Sequence, residues 1–174
     1  MIRHKGSTVC FTGHRPDKFG GYDEDTEIIE KIKLELERKI DDAIYLGYTT
    51  FVTGMAIGVD TWAGEIVLEF KKKYPEIKLV CAIPFAGQER RWQYPSIKRY
   101  NNLIDNADEV TIVSEGGYSR DKMMIRNEWM VDNSNIVIAV WDGTSGGTAN
   151  CVKYAKKKKA ELWMIDPEVL KKLG

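Results

Sequence analysis

At 174 residues, with 43% hydrophobic and 30% charged side chains, the chain has the composition of a globular protein with a sizeable core. Its 26 basic residues balance 26 acidic ones, which excludes a global field for nucleic acid or an anionic membrane and leaves only a local patch open. Cys10, Cys81 and Cys151 form no metal or redox spacing, so reduced, buried thiols in a cytoplasmic protein are expected.

The opening MIRHKGSTVCFTG holds too short an apolar run for a signal peptide, and no stretch reaches the length of a transmembrane helix. With no internal repeat or low-complexity linker, one domain over residues 1–174 is expected. Thr8–Thr12 reads as a first strand, running into Gly13-His14-Arg15-Pro16, where the proline blocks continuation. A polar loop over Asp17–Asp25 precedes a long helix with Ile29, Ile32, Leu36, Ile40 and Ala43 at three- and four-residue intervals and Gly47 as its stop. Thr50–Thr53 is a second strand ending at Gly54-Met55-Ala56-Ile57-Gly58. The next helix carries Val59, Trp62, Ala63, Ile66, Val67 and Phe70 on one face and ends at Pro75. Asp60 and Glu65 lie off that face, with Asp60 in the first turn, where an aspartate complements the helix dipole.

Lys78–Ile83 is a third strand, broken at Pro84 and followed by Phe85–Trp92; a helix runs from Ser96, and Glu109–Val113 is a fourth strand. After a turn at Gly116-Gly117-Tyr118 come a helix over Asp121–Asp132 and a fifth, β-branched strand over Asn135–Val140. Trp141–Gly147 then packs three glycines with Asp142, Thr144 and Ser145, and from Thr148 the pattern turns helical, with Ala149, Val152 and Ala155 three residues apart. Glu161–Ile165 is a sixth strand and Pro167–Leu173 a short tail helix. Strands alternating with helices predict βαβ units: a mostly parallel sheet of about six strands with helices on both faces, α/β in class and three-layered. Right-handed crossovers then bring every strand-to-helix loop to one sheet edge. Gly13–Arg15, Gly54–Gly58, Pro84–Trp92 and Asp142–Thr148 therefore meet in one cleft, the usual ligand position of open α/β sheets.

The loop after the fifth strand has the chemistry of an anion site. Gly143, Gly146 and Gly147 let backbone N–H groups approach a phosphate, and the helix N-terminus at Thr148 favours negative charge. A tight strand-to-helix connection would use the same residues. Arg15 offers a planar fork for phosphate or carboxylate, and His14 a hydrogen bond or a base. Phe85, Trp92 and Tyr94 either stack on a base or pack in the core. Gln88 and Asn150 are amides able to read a base or ribose edge. Arg126 either points into the cleft or pairs with Glu128. No Ser-His-Asp set, zinc spacing, P-loop or G-x-G-x-x-G fingerprint is present.

Phe11–Pro16 (FTGHRP), Thr53–Glu65 (TGMAIGVDTWAGE), Ile83–Trp92 (IPFAGQERRW) and Arg126–Asn150 (RNEWMVDNSNIVIAVWDGTSGGTAN) together resemble the SLOG superfamily, and more closely the bacterial YpsA-like family, also called DUF1273. The resemblance spans nearly the whole chain. It implies a Rossmann-like domain that binds a nucleotide or nucleotide-derived molecule, such as an ADP-ribose or NAD derivative, as a sensor or effector in bacterial or phage cytoplasm. Implied pocket residues are Gly13, His14, Arg15, Gly54, Met55, Gly58, Asp60, Pro84, Phe85, Gln88, Trp92, Arg126, Asn127, Asp142, Gly143, Ser145, Gly146, Gly147, Thr148 and Asn150. That ligand is the expected partner, with no metal and no other cofactor; a homodimer stays open, and neither membrane nor nucleic acid is expected.

Two relatives set the alternatives. In the lonely-guy phosphoribohydrolases, an arginine and a methionine four residues on precede a strand and PGGxGTxEE; Arg126, Met130 and Gly147-Thr148 keep that pattern. Asn150 and Cys151 stand where the two glutamates would be, which argues against glycosidic hydrolysis unless Asp142 or Glu65 compensates. The SGxARGID loop of the DNA-processing protein DprA is similar to Thr53–Asp60, with Ile57 in place of its arginine, which weakens a single-stranded DNA reading.

Overall fold

The strands are short and the inner ones apolar, and each is followed by a segment with helical periodicity. In the computed structural model, which describes residues 6–173, this alternation gives β1 (Thr8–Gly13), α1 (Glu27–Tyr45), β2 (Thr50–Thr53), α2 (Val59–Lys73), β3 (Lys78–Ile83), α3 (Tyr94–Asn106), β4 (Glu109–Ile112), α4 (Asp121–Asp132), β5 (Ile136–Val140), α5 (Gly147–Lys157), β6 (Glu161–Ile165) and α6 (Pro167–Lys171). The first residues of MIRHKGSTVCFTG, up to Lys5, lie outside the described residues. Among the described residues, no helix is long and apolar enough to cross a membrane.

All pairings are parallel, in the order β4-β3-β2-β1-β5-β6. The fold is thus an α/β Rossmann-like sheet with helices on both faces. Alternation within the strands builds the two layers. Val9 and Phe11 of β1 and Ile136, Ile138 and Val140 of β5 face α1, α2 and α3, while Cys10 and Val137 face α4 and α5. The α1 stripe of Ile29, Ile32, Leu36, Ile40 and Ala43 is fully buried, as its periodicity predicts. Thr26 caps this helix, its hydroxyl accepting from the Ile29 N–H at 3.3 Å. Gly47, in a left-handed conformation, follows its end.

Two local features depart from the sequence reading. The expected polar loop after β1 opens with a 3-10 turn over Pro16–Phe19, started by a proline whose fixed φ suits a first helical position. α3 begins at Tyr94 rather than Ser96, with Pro95 in its first turn.

The strand order has a functional consequence. The chain runs outward through β2, β3 and β4, then returns across β1 to place β5 on its other side. Consecutive connections therefore leave β1 and β5 in opposite directions, which opens a crevice between their carboxyl ends. Gly13 pairs with Val140 there, so the β1–α1 and β5–α5 loops form its walls. Gly13 also lets α2 pack close: a Cβ at this position would sit 2.5 Å from Val59 Cγ2.

Candidate functional site

A cleft of about 320 Å³ occupies this switch point. β1 and the turn after it contribute Thr12, Gly13, His14, Arg15, Asp17 and Lys18; the α2 entry contributes Ala56 and Asp60; α4 contributes Met123, Arg126 and Asn127; the α5 entry contributes Ser145, Gly146, Gly147 and Thr148. Glycine, basic and buried ionic groups from four separate parts of the chain meet at one point because the sheet is parallel.

The α5 wall is built to present backbone. Gly146, at φ 139, precedes the helix, and no side chain caps the first turn. The first amides of an 11-residue helix therefore face the cleft with the positive end of its dipole. The loop leading here is held by Asp142, whose Oδ1 accepts from the Thr144 amide at 3.0 Å and hydroxyl at 2.6 Å and lies 2.9 Å from His14 Nε2. Trp141 Nε1–H closes the turn on the Thr144 carbonyl at 2.7 Å. His14, buried from solvent, thus joins the two walls.

The Thr144 hydrogen bonds, with His14 adding a smaller share, lower the Asp142 pKa to about 2 from the ordinary 3.8. A depressed carboxylate stabilises the fold above its unfolded pKa and loses that contribution as pH falls through its folded value. Acid titration of stability should therefore show a loss between about pH 4 and pH 2 that shrinks in Asp142→Asn. Identical acid profiles for the two proteins, followed by circular dichroism, would contradict this assignment.

The cleft floor is ionic. Arg126 is buried, donating from Nη1 to the Gly54 carbonyl and from Nε to Asn127 Oδ1 at 2.8 Å. It does not pair with Glu128: its charge partner is Asp60, which is buried as well and accepts from the Ala56 amide at 3.1 Å. Burial raises the Asp60 pKa and lowers that of Arg126, while each charge opposes the shift of the other. Asp60 is thus more than a dipole-complementing surface residue. Gly54 is required by this packing, since a Cβ there would lie 2.9 Å from both Arg126 Cζ and Asp60 Oδ2.

Half of the expected residues line the cleft: Gly13, His14, Arg15, Asp60, Arg126, Asn127, Ser145, Gly146, Gly147 and Thr148. The others are supports or lie elsewhere. Gly54 touches Arg126 from behind, and Gly58, at φ 100, turns the chain against Pro16 and the His14 carbonyl. Met55 is buried in a left-handed conformation at φ 65, and its carbonyl accepts from Gln88 Nε2 at 2.9 Å. Gln88 therefore clamps the β2–α2 loop rather than presenting its amide to the cleft. Phe85 is buried edge-on to Tyr118, and Trp92 packs edge-on to Tyr100 with ring centroids 5.5 Å apart. Pro84, Phe85 and Trp92 do not line the cleft, nor do Asp142, Gly143 and the exposed Asn150. Tyr94 is exposed on α3. Ala56 lines it as part of the expected Gly54–Gly58 loop, and Thr12, Asp17, Lys18 and Met123 line it without having been expected; Met123 sits one turn before Arg126, a spacing that shares a helix face.

The YspA SLOG family (YpsA) matches residues 9–170. The chain belongs to this family. It is 38% identical over 131 residues to the SPbeta prophage-derived protein YoqJ of Bacillus subtilis, covering 68% of this chain and 77% of that one. Identity to a UPF0398 protein of Bacillus thuringiensis is 29% over 155 residues, covering 88% and 84%. Among solved structures, DNA processing protein A of Helicobacter pylori superposes with a TM-score of 0.62 at 19% identity over 97% of this chain and 73% of that one. The Streptococcus pneumoniae protein gives 0.60 at 16% over 94% and 50%. At such identities the likeness is one of fold. In this YpsA family member Thr12–Arg15 of the FTGHRP segment and Ser145–Thr148 of the DGTSGGT segment, far apart in the chain, line the same cleft.

Proposed function

We propose that the switch-point cleft binds a nucleotide-derived small molecule, with a phosphate on the first turn of α5. The uncapped, glycine-flanked α5 N-terminus carries this reading, because it faces the same cleft as Arg15, Lys18 and the buried Arg126. Backbone amides, a helix dipole and guanidinium groups converging on one concavity are what a phosphate selects. The volume lies at the lower end of the range for small-molecule pockets.

Binding without hydrolysis is the favoured form. Asn150 is exposed, and Cys151 is buried with its thiol pushed up to about 11, chiefly by desolvation. Neither supplies a carboxylate to an oxocarbenium-like centre. Glu65 is held by Arg99 at 2.6 Å and Asp142 by Thr144 and His14, and neither lines the cleft, which supports binding without hydrolysis. The Helicobacter pylori relative in fold is described by its single-stranded DNA binding. Here Ile57 replaces the arginine of the corresponding DprA loop, and overall charge is balanced. A thermal-shift screen against AMP, ADP, NAD and ADP-ribose should raise the melting temperature with at least one of them, since a ligand of the native state stabilises by mass action. The stabilising compound should be recovered intact, with no free base by chromatography. Release of free base by the wild-type protein would instead establish the hydrolase alternative.

A further inference from the structure

The turn that forms the Arg15–Lys18 wall has no strand or long helix of its own to hold it. It belongs to a segment, residues 14–26, with internal closures: the Gly21 amide donates to the Pro16 carbonyl at 3.1 Å, and the Thr26 hydroxyl to the Phe19 carbonyl at 3.0 Å. Phe19 packs into the core and His14 bonds Asp142, while Glu24 ties the far end of this unit to the surrounding helices. Glu24 Oε1 accepts from Trp62 Nε1 of α2 at 2.8 Å and from Lys33 Nζ of α1 at 3.4 Å, and its Oε2 accepts from Arg99 Nη1 of α3 at 2.8 Å. Three helices thus converge on one carboxylate that is only 11% exposed. Its donors are themselves fixed. Arg99 is bidentate to Glu65, and the Lys33 ammonium lies 5.4 Å from the Trp62 ring centroid. Glu24 reaches them from a left-handed backbone at φ 62, a conformation that a side-chain-bearing residue adopts only when its surroundings over-determine it.

The grip extends to the cleft through aromatic contacts. Trp62 meets Phe19 at 6.1 Å between centroids, and Phe19 meets His14 at 6.0 Å. We infer that Glu24 is a clasp: its carboxylate, held by Trp62, Lys33 and Arg99, fastens segment 14–26 as the movable wall of the cleft, so that releasing it opens the site. The consequence for ligands rests on the cleft reading above; the fastening itself does not.

The two parts separate experimentally, because the clasp can be measured on the ligand-free protein. Hydrogen exchange read by mass spectrometry would compare wild type with Glu24→Gly and Arg99→Gln. Glycine favours the left-handed backbone at position 24, so it relieves the conformation while deleting the carboxylate. Amides of residues 17–26 should exchange at least tenfold faster in both variants, with β1 and β2 keeping wild-type protection. If Glu24 were only a turn residue, Glu24→Gly would exchange at the wild-type rate or more slowly, and the inference would be overturned. Protection lost throughout both variants would also overturn it, because the carboxylate would then support the whole fold rather than a wall. Faster exchange with no nucleotide ever binding would keep the clasp and remove the ligand reading.

Discussion

Gly147→Val should weaken binding of a phosphate-bearing nucleotide by about a hundredfold or more, and leave the melting temperature within about 2 °C of wild type. The separation follows from the geometry at this position. Gly147 is the first residue of α5, its φ is not in the left-handed region, and a Cβ there meets no atom within 4 Å. A valine therefore strains nothing in the free protein. It projects instead into the space where a phosphate would approach the α5 amides. Loss of two or three charge-assisted hydrogen bonds, at about 1.5–3 kcal/mol each, accounts for the affinity change. Gly146 is unsuitable for this test, because at φ 139 any side chain strains the backbone and mixes stability with binding. Calorimetric affinity and melting temperature, measured on the same Gly147→Val preparation, decide the matter. A folded variant with wild-type affinity removes this loop from the site; a large fall in melting temperature assigns the glycine a packing role.

Arg126→Ala should be the most damaging single substitution in the cleft, costing about 3–5 kcal/mol of stability, or on the order of 10 °C in melting temperature for a chain of this size. Arg126 is the charge partner of the buried Asp60 and the donor to the Gly54 carbonyl and Asn127. Removing it leaves an uncompensated buried carboxylate beside a carbonyl that has lost a donor. Asp60 should respond by taking up a proton, because burial already raises its pKa and Arg126 is the largest influence lowering it. Stability of Arg126→Ala should consequently recover as pH is lowered below neutrality, opposite to the acid loss expected from Asp142. Asp60→Asn combined with Arg126→Met should regain much of the difference, since the charge and its partner leave together. A double variant as unstable as the sum of the singles would show that the two side chains are not energetically coupled.

The elements were legible because their signals are local. The α1 stripe and the apolar strands need only a period and a stop residue to be read, and the parallel order explains why FTGHRP and DGTSGGT line the same cleft. Side-chain direction at the loop tips was less legible. Gln88 reads as a surface amide, yet its direction is set by the carbonyl of a left-handed Met55 in another loop. Trp92 reads more readily as core or lid packing than as a stacking platform, and Tyr100 on α3 is the residue it packs against. Asp60 falls off the apolar face of α2, but in the first turn of that helix it is buried beside the Arg126 side chain and the Ala56 amide, partners that helical periodicity does not record. Lys18 and Asp17 line the cleft from a 3-10 turn that opens the expected polar loop.

The most direct test is amide-resolved NMR titration of the wild-type protein with each nucleotide that raises its melting temperature. Binding at the switch point predicts the largest shift changes at the amides of Gly146, Gly147 and Thr148, with smaller ones at His14 and Arg15 and little change along β3, β4 and β6. Saturable shifts centred on another surface, with the α5 first turn undisturbed, would contradict it.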